Sequence, residues 1–350
     1  MKKVVYAGLS GGVDSSAAAA LLKEKGHQVV GVYMKNWTQD LPGFPCPWME
    51  DYQDAKRVAV KLGIEFKVYD FEKEYKQKVV EYMIEEYQAG RTPNPDIMCN
   101  QEVKFKLFLD AALEDGADMI ATGHYARTKD GKLLTAANPD KDQTYFLYRV
   151  SEDALKKSLM PIGNYKTKDE VRSIAKKYDL STASKKDSQG ICFVGKIGIK
   201  DFLSNYIAAE AGSIIDSNGK IIGQHDGAVF YTIGQRHGLN VGGGLPFYVS
   251  GKNMDKNEIY ATTDLDDENL WTTEFTITNT HWINNRPDEN FQCMARTRYR
   301  APLVDCKLQS IERTTAKVIL SQPIRAITPG QSAVFYVDDL VLGGGIVADK

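Results

Sequence analysis

Residues 9–16 read Leu9-Ser10-Gly11-Gly12-Val13-Asp14-Ser15-Ser16 and stand between an apolar run, Val4-Val5-Tyr6-Ala7, and an alanine-rich stretch over residues 17–25. A glycine-bearing turn between a strand and a helix is a place for phosphate. Glycine reaches backbone angles closed to other residues and lets the main chain approach an anion, while the following helix aims its unpaired N–H groups at the same point. Ser10, Ser15 and Ser16 add hydroxyl donors. The loop has no lysine, so it is not the GxxxxGK[ST] loop whose lysine serves the β- and γ-phosphates. A different phosphate chemistry is implied.

Ser-Gly-Gly-x-Asp-Ser is similar to the pyrophosphate loop of the N-type ATP pyrophosphatases, which hold the β- and γ-phosphates of ATP as a unit while an acceptor oxygen attacks the α-phosphate. The surrounding pattern suits such a loop. Strand-like stretches at 4–9, 29–34, 66–71 and 119–122 alternate with helical ones at 15–25, 52–62 and 74–88, and Gly26, Gly63 and Gly90 follow the helices where a C-cap wants glycine. Phe105, Phe108, Leu109 and Ala112 follow helical spacing ahead of the last strand. The expectation is an α/β fold whose parallel sheet carries helices on both faces, with ligands at the carboxyl ends of the strands. Residues 144–180 read as helical, with a capping box Thr167-x-x-Glu170. After residues 185–193 and a short helix near 199–207, Gly, Ile, Val and Tyr become frequent. From about Glu274 the pattern is wholly strand-like, at 275–278, 292–299, 304–311, 316–320, 333–336 and 340–348. Even, short strands point to a small antiparallel barrel or sandwich.

The 350 residues imply two or three domains. A net charge of -2 excludes a generally basic, nonspecific nucleic-acid binder, so any RNA contact must come from local patches. No stretch approaches a membrane span and no signal-peptide core follows Met1, which places the expected protein in the cytoplasm. The five cysteines, Cys46, Cys99, Cys192, Cys293 and Cys306, include no Cys-x-x-Cys pair. Structural zinc, iron–sulfur clusters and permanent disulfides are therefore not expected, and no protein metal site is assigned.

Residues 90–100, Gly-Arg-Thr-Pro-Asn-Pro-Asp-Ile-Met-Cys-Asn, form the most unusual loop. Two prolines around Asn94 hold the backbone extended and stiff, which suits a segment that presents side chains to a substrate. Asp96 and Cys99 are expected just before the helix that contains Phe105. A cysteine there has its thiolate favoured by the helix dipole, and a nearby carboxylate can exchange the proton. Cys192 lies in Lys185-Lys-Asp-Ser-Gln-Gly-Ile-Cys-Phe193, where two lysines favour a thiolate or persulfide. With Cys99 it forms a candidate dithiol. Arg296, Arg298 and Arg300 alternate along the expected strand, which puts three guanidinium groups on one face as a phosphate-tracking surface.

Seven strings in order, spread over the whole chain, resemble the bacterial tRNA-specific 2-thiouridylases: the Ser10–Ser16 loop, residues 90–100, Ala121-Thr-Gly-His-Tyr125, Lys141-Asp-Gln143 with Tyr145-Phe-Leu-Tyr148, the Cys192 segment, Tyr231-Thr-Ile-Gly-Gln-Arg236 and Thr328-Pro-Gly-Gln-Ser332. The resemblance implies three domains: a pyrophosphate-loop catalytic domain over 1–197, a small β-rich central domain over 198–268 and a C-terminal antiparallel β-barrel over 269–350 that contacts tRNA. It implies ATP-dependent, magnesium-assisted transfer of persulfide sulfur to C2 of the wobble uridine (position 34) of the tRNAs for Lys, Glu and Gln, with the anticodon arm bound and the sulfur brought by a cysteine desulfurase or sulfur-relay protein. By the same resemblance Cys99, Cys192 and Asp96 are catalytic. Gly8, Leu9, Ser10, Gly11, Gly12, Val13, Asp14, Ser15, Met34 and Gly123 contact ATP. Asn94, Pro95 and Asp96 hold the target base, and His124, Lys141, Asp142, Gln143, Arg298, Tyr299 and Gln331 touch tRNA. Gln189 departs from the threonine often found before Gly-Ile-Cys in the family, and Cys46 receives no role. Competing readings are another adenylating enzyme of the pyrophosphate-loop kind, a ligase or amidotransferase that needs no Cys99, and a tRNA-binding protein that holds ATP only as a ligand. A cytidine thiolase would be expected to carry Cys-x-x-Cys cluster ligands, which this chain lacks.

Overall fold

A computed structural model describes residues 2–40, 46–186, 198–239, 241–242 and 244–349. Val4–Gly8 form β1, apolar and buried almost throughout as a central parallel strand requires. The first layer continues with α1 (Val13–Glu24), β2 (Gln28–Lys35), α2 (Trp48–Leu62), β3 (Glu65–Asp70), a helical stretch over residues 72–88 (α3), another over residues 95–114 (α4) and β4 (Met119–Ala121). A hairpin, β5 (Arg127–Lys129) and β6 (Lys132–Leu134), is followed by α5 (Glu152–Lys156), β7 (Ser158–Leu159) and α6 (Lys168–Lys177). The sheet has strand order β3-β2-β1-β4-β7, parallel throughout.

α1 is alanine-rich because it is covered on two sides. Ala19, Ala20 and Leu22 pack on the sheet with Val5 and Val29, while Ala17, Ala18 and Leu21 meet Tyr125, Ile162 and Val171 on the other side. A helix apolar around most of its circumference belongs inside. The capping box at Thr167 and Glu170 is present and starts α6. Within residues 144–180, expected to be helical, Ser158 and Leu159 instead supply the fifth strand. Two residues are too short a run for a periodic signal.

α4 begins earlier than its apolar spacing indicates. Pro95 is its first residue, Asn94 ahead of it is extended, and the helix is wound as π-helix over Cys99–Leu107. Asp96 and Cys99 therefore lie within the first turns of the helix rather than before it. Proline at the first helical position has no N–H to leave unsatisfied and its fixed φ suits the turn.

The central segment contains α7 (Ile199–Leu203) and a four-stranded sheet of β8 (Gly212–Ile215), β9 (Ile221–His225), β10 (Tyr248–Asn253) and β11 (Glu258–Thr262), in order β10-β11-β8-β9. The C-terminal strands are β12 (Trp271–Trp282), β13 (Phe291–Arg296), β14 (Val304–Ile311), β15 (Ala316–Arg325), β16 (Ser332–Val337) and β17 (Leu340–Val347). They run in order β12-β15-β14-β13-β16-β17, and pairing of β12 with β17 closes them into an antiparallel barrel. The hairpin β5–β6 of the first segment adds to this barrel through β6 and β17, Leu133 opposite Val341. The first segment and the barrel thus share a seam that composition does not announce.

Candidate active site

The turn after β1 lies at the carboxyl edge of the sheet. Gly12 caps α1 without a side-chain hydrogen bond, so the helix N-terminus is served by the loop and by whatever occupies it. Ser15 Oγ donates to the Gly12 carbonyl (3.1 Å), accepts from the Ser10 N–H (3.2 Å) and lies 3.2 Å from Ser10 Oγ, which folds the loop back on the helix start. Ser16 Oγ donates to the same Gly12 carbonyl at 2.7 Å. The two glycines have different reasons. At Gly11, with φ of +73°, a Cβ would meet the Asp51 carbonyl oxygen at 2.5 Å, so this glycine serves the close packing of α2. At Gly12 a Cβ would meet only Ser10 Oγ, at 3.4 Å, so its open side faces free space beside the helix N-terminus. That is a cradle for an anion.

Three residues expected at ATP converge here. A Cβ on Gly8 would meet Met34 Cε at 3.0 Å, and a Cβ on Gly123 would meet the Ser15 nitrogen at 2.6 Å. Gly123 is what lets the turn after β4 approach the loop. Asp14, in the first turn of α1, would repel a phosphate if left alone. Lys168 at the start of α6 binds both its carboxylate oxygens, at 2.7 and 2.8 Å, and Tyr125 OH donates to one of them at 3.2 Å. Lys168, which the sequence did not single out, thus neutralises Asp14 beside the cradle. The capping box marks where α6 starts but not that it packs on α1.

α4 enters from above the same edge. Phe108 reaches Gly8, with Cε1 3.6 Å from where a Cβ would stand, and Phe105 packs against the His124 ring at 5.7 Å between centroids. Cys99 lies nine residues before Phe108 on the same helix. It is a buried thiol, and Asn100 beside it donates from Nδ2 to the Phe146 carbonyl at 3.0 Å. Burial pushes the Asp96 carboxyl above the usual carboxylate range, and the Lys104 ammonium works against that rise. Burial also drives His124 well below the usual imidazole value, again with Lys104 nearby, so His124 is neutral and its Nδ1 pairs with Thr122 Oγ1 at 2.8 Å. Lys104 is the second residue missed by sequence reading. Among many lysines, only the fold shows that it faces Asp96 and His124.

Three family models cover nearly the whole chain: a tRNA methyl transferase HUP domain over residues 2–196, a tRNA methyl transferase PRC-barrel domain over 200–263 and an aminomethyltransferase beta-barrel domain over 272–347. The tRNA-specific 2-thiouridylase MnmA of Geobacillus thermodenitrificans is 47% identical over 349 residues, 98% of this chain and 94% of that protein. MnmA of Bacillus cereus strain ATCC 10987 matches at the same identity and the same coverage. The chain belongs to the tRNA-specific 2-thiouridylase family. It is an enzyme of that family, with a pyrophosphate-loop domain, a central PRC-barrel-like domain and a C-terminal antiparallel barrel. Solved structures resemble it less completely. NMN synthetase from Francisella tularensis aligns at a TM-score of 0.37 and 17% identity, over 59% of this chain and 79% of that one.

Of the residues expected at tRNA, His124 and Asp142 are buried and the others half-buried. Arg296 ends β13, Arg298 lies beyond it and Arg300 has φ of +62°, so the three arginines do not share one extended face. Arg298 is half-buried, and its guanidinium donates from one nitrogen to the carbonyls of Ile233 (2.9 Å) and Ala326 (2.8 Å) and to Thr328 Oγ1 (2.8 Å). Arg296 stands over the Tyr336 ring and 3.4 Å from Asp142. The phosphate-tracking row is therefore corrected: two of its members are internal ties, and only Arg300, over the Tyr299 ring, is exposed. Asp142 is buried too, accepting from the Ala136 N–H (2.9 Å) and Thr144 Oγ1 (2.7 Å). Gln143 accepts the Tyr125 N–H at 2.8 Å and holds the turn after Gly123, while Lys141 is half-buried in the same loop. Tyr299 packs on Phe146 at 4.4 Å. Gln331 donates from Nε2 to the Thr92 carbonyl at 2.8 Å. Lys185, expected to support a thiolate, is bound to Asp51 (2.9 Å) and Asp54 (2.7 Å), so its charge is compensated at α2. Cys192 and Gln189 lie outside the described residues.

Proposed function

We propose that this enzyme transfers persulfide sulfur to C2 of the wobble uridine, position 34, in the tRNAs for Lys, Glu and Gln, at the expense of ATP. The observation that carries this reading is an anion cradle without lysine on its loop, against whose strand and neighbouring turn packs, through Phe108 and Phe105, a helix that carries Asp96 and the buried Cys99 in its first turns. The C2 oxygen of uracil is a poor leaving group, and adenylation changes that. The oxygen attacks the α-phosphate while the Ser10–Ser16 loop holds the departing pyrophosphate, leaving AMP on the base. A persulfide sulfur on Cys192 then attacks C2, and AMP leaves with the C2 oxygen. Cys99 thiolate attacks the Cys192 sulfur of the resulting C2–S–S linkage, which frees 2-thiouridine and closes a Cys99–Cys192 disulfide that an external thiol must reduce. Asp96 moves the proton at the base, with Asn94 and Pro95 framing it, and the base leaves its stack to reach them.

Among the described residues no group of three or more His, Cys, Asp or Glu stands ready to hold a metal. Magnesium fits best as an ion carried on the phosphate oxygens and water, with Asp14 the carboxylate of the loop, and it would supply charge neutralisation on the phosphates. The sulfur source is a cysteine desulfurase or a sulfur-relay protein, and the place of work is the cytoplasm. No helix among the described residues is long and apolar enough to cross a membrane. The experiment is a Cys192→Ser variant assayed for 2-thiouridine and for tRNA binding. Thiolation should vanish while affinity for tRNA stays, because a hydroxyl cannot carry sulfane sulfur. Full thiolation by the variant would contradict the reading.

A further inference from the structure

Thr92 is gripped from three sides by parts of the chain far from it in sequence. Its N–H donates to the Pro329 carbonyl at 2.9 Å, its carbonyl accepts from Gln331 Nε2 at 2.8 Å, and its Oγ1 lies 3.0 Å from Thr232 Oγ1. The first two partners belong to the loop before β16 of the barrel and the third to the central segment. Contact is close as well as polar. A Cβ on Gly330, whose φ is +87°, would stand 2.8 Å from the Thr92 nitrogen and 2.9 Å from Arg91 Cβ. The gripping loop is itself fixed: Arg298 binds Thr328 Oγ1, the Gly330 N–H donates to the Val347 carbonyl at 3.0 Å, and the Val347 N–H donates to the Gln331 carbonyl at 2.8 Å.

The chain leaving Thr92 is stiff. Pro93 and Pro95 have fixed φ, and each restricts the residue before it, Thr92 and Asn94, to extended angles. Asn94 is extended as required, with φ of -115° and ψ of 95°. Few soft torsions remain between the Thr92 carbonyl and the first residue of α4, so a displacement at Thr92 passes to Asp96. On the other side of Thr92, Arg91 is clamped by a two-pronged pair with Glu86, at 2.8 and 2.6 Å, so the loop does not take up the change there.

We propose that Gln331 is a positioning residue of the reaction, which sets the Asn94-Pro95-Asp96 turn through the Thr92 carbonyl. The barrel then completes the catalytic loop, and the proline run is the rod between them. This rests on the thiouridylase reading above for its kinetic consequence but not for its structural one.

Gln331→Met keeps the side-chain volume and removes the donor, and Gln331→Glu puts an acceptor against the Thr92 carbonyl. Both are compared with wild type in single turnover at saturating tRNA, in tRNA binding, and in amide hydrogen exchange of the peptide over residues 91–99 in the free protein. The expected result is a rate loss on the order of 10²-fold that persists at saturating tRNA, the scale of a small misplacement of catalytic groups, with faster exchange in that peptide. Thr232→Val, which removes one grip without touching the barrel, should show the same pattern more weakly. An intact rate at saturating tRNA, with any effect confined to tRNA binding, would overturn the proposal, and so would unaltered exchange over residues 91–99. If wild-type protein formed no 2-thiouridine, the function would fall while the exchange result still decided the positioning.

Discussion

Asp96 combines two opposed influences at a single carboxyl: burial raises its proton affinity and Lys104 lowers it. A carboxyl whose folded value lies above its unfolded value binds the proton more tightly in the native state. Stability then falls as pH rises from the unfolded value through the raised one. Asp96→Asn should therefore raise Tm at neutral pH while lowering the rate by about 10²- to 10⁴-fold, the range for loss of a general acid or base. Lys104→Met should move the acid limb of the pH–rate profile to higher pH. An unmoved limb would remove Lys104 from the site. Arg298 makes a different prediction from an exposed phosphate contact. Its loss takes the guanidinium from the Ile233 and Ala326 carbonyls and from Thr328 Oγ1, whose own hydroxyl donates to Ala326 at 2.9 Å, so Arg298→Ala should lower stability by roughly 1–3 kcal/mol in urea unfolding. A variant of full stability that binds tRNA with a flatter salt dependence would restore the phosphate assignment.

At the scale of elements, the turn between β1 and α1 separates into a packing glycine and a binding glycine. Gly11→Ala should lower Tm because its Cβ collides with the Asp51 backbone, whereas Gly12→Val should keep Tm and lose ATP binding by calorimetry. Equal ATP affinity in Gly12→Val would make the cradle a mere turn. This loop was legible in sequence because glycines, serines and a following apolar helix act locally. The barrel strands were legible too, residues 304–311 to the residue, since alternation with one buried face is a period-2 signal. The arginine row was not. Alternation predicts a shared face only while the strand continues, and beyond Arg296 the chain turns, the Ala301 N–H donating to the Arg298 carbonyl at 3.1 Å and Arg300 taking a positive φ. Likewise Gln331, Thr92 and Thr232 come from three distant segments, and no local pattern reports that they meet.

For the whole molecule, the catalytic sheet and the barrel hold each other's core. Tyr145 OH donates to the Ser332 carbonyl at 2.9 Å, Tyr148 OH lies 3.1 Å from Ser332 Oγ, and Leu133 of the hairpin is fully buried against the barrel seam. Removal of residues 272–349 would expose Leu133, Tyr145 and Tyr148 together. The truncated chain should aggregate or bind a hydrophobic dye strongly, and a well-behaved monomer with native Tm would contradict the shared core. The central claim concerns the intact enzyme and is tested by the nucleosides it makes. Unmodified tRNA is incubated with persulfide-loaded protein, ATP and magnesium, then digested and read by mass spectrometry, with AMP and pyrophosphate measured alongside. The account predicts 2-thiouridine at position 34, matched one for one by AMP and pyrophosphate. Pyrophosphate release with no thionucleoside, or tightly bound tRNA with no ATP turnover, would contradict it.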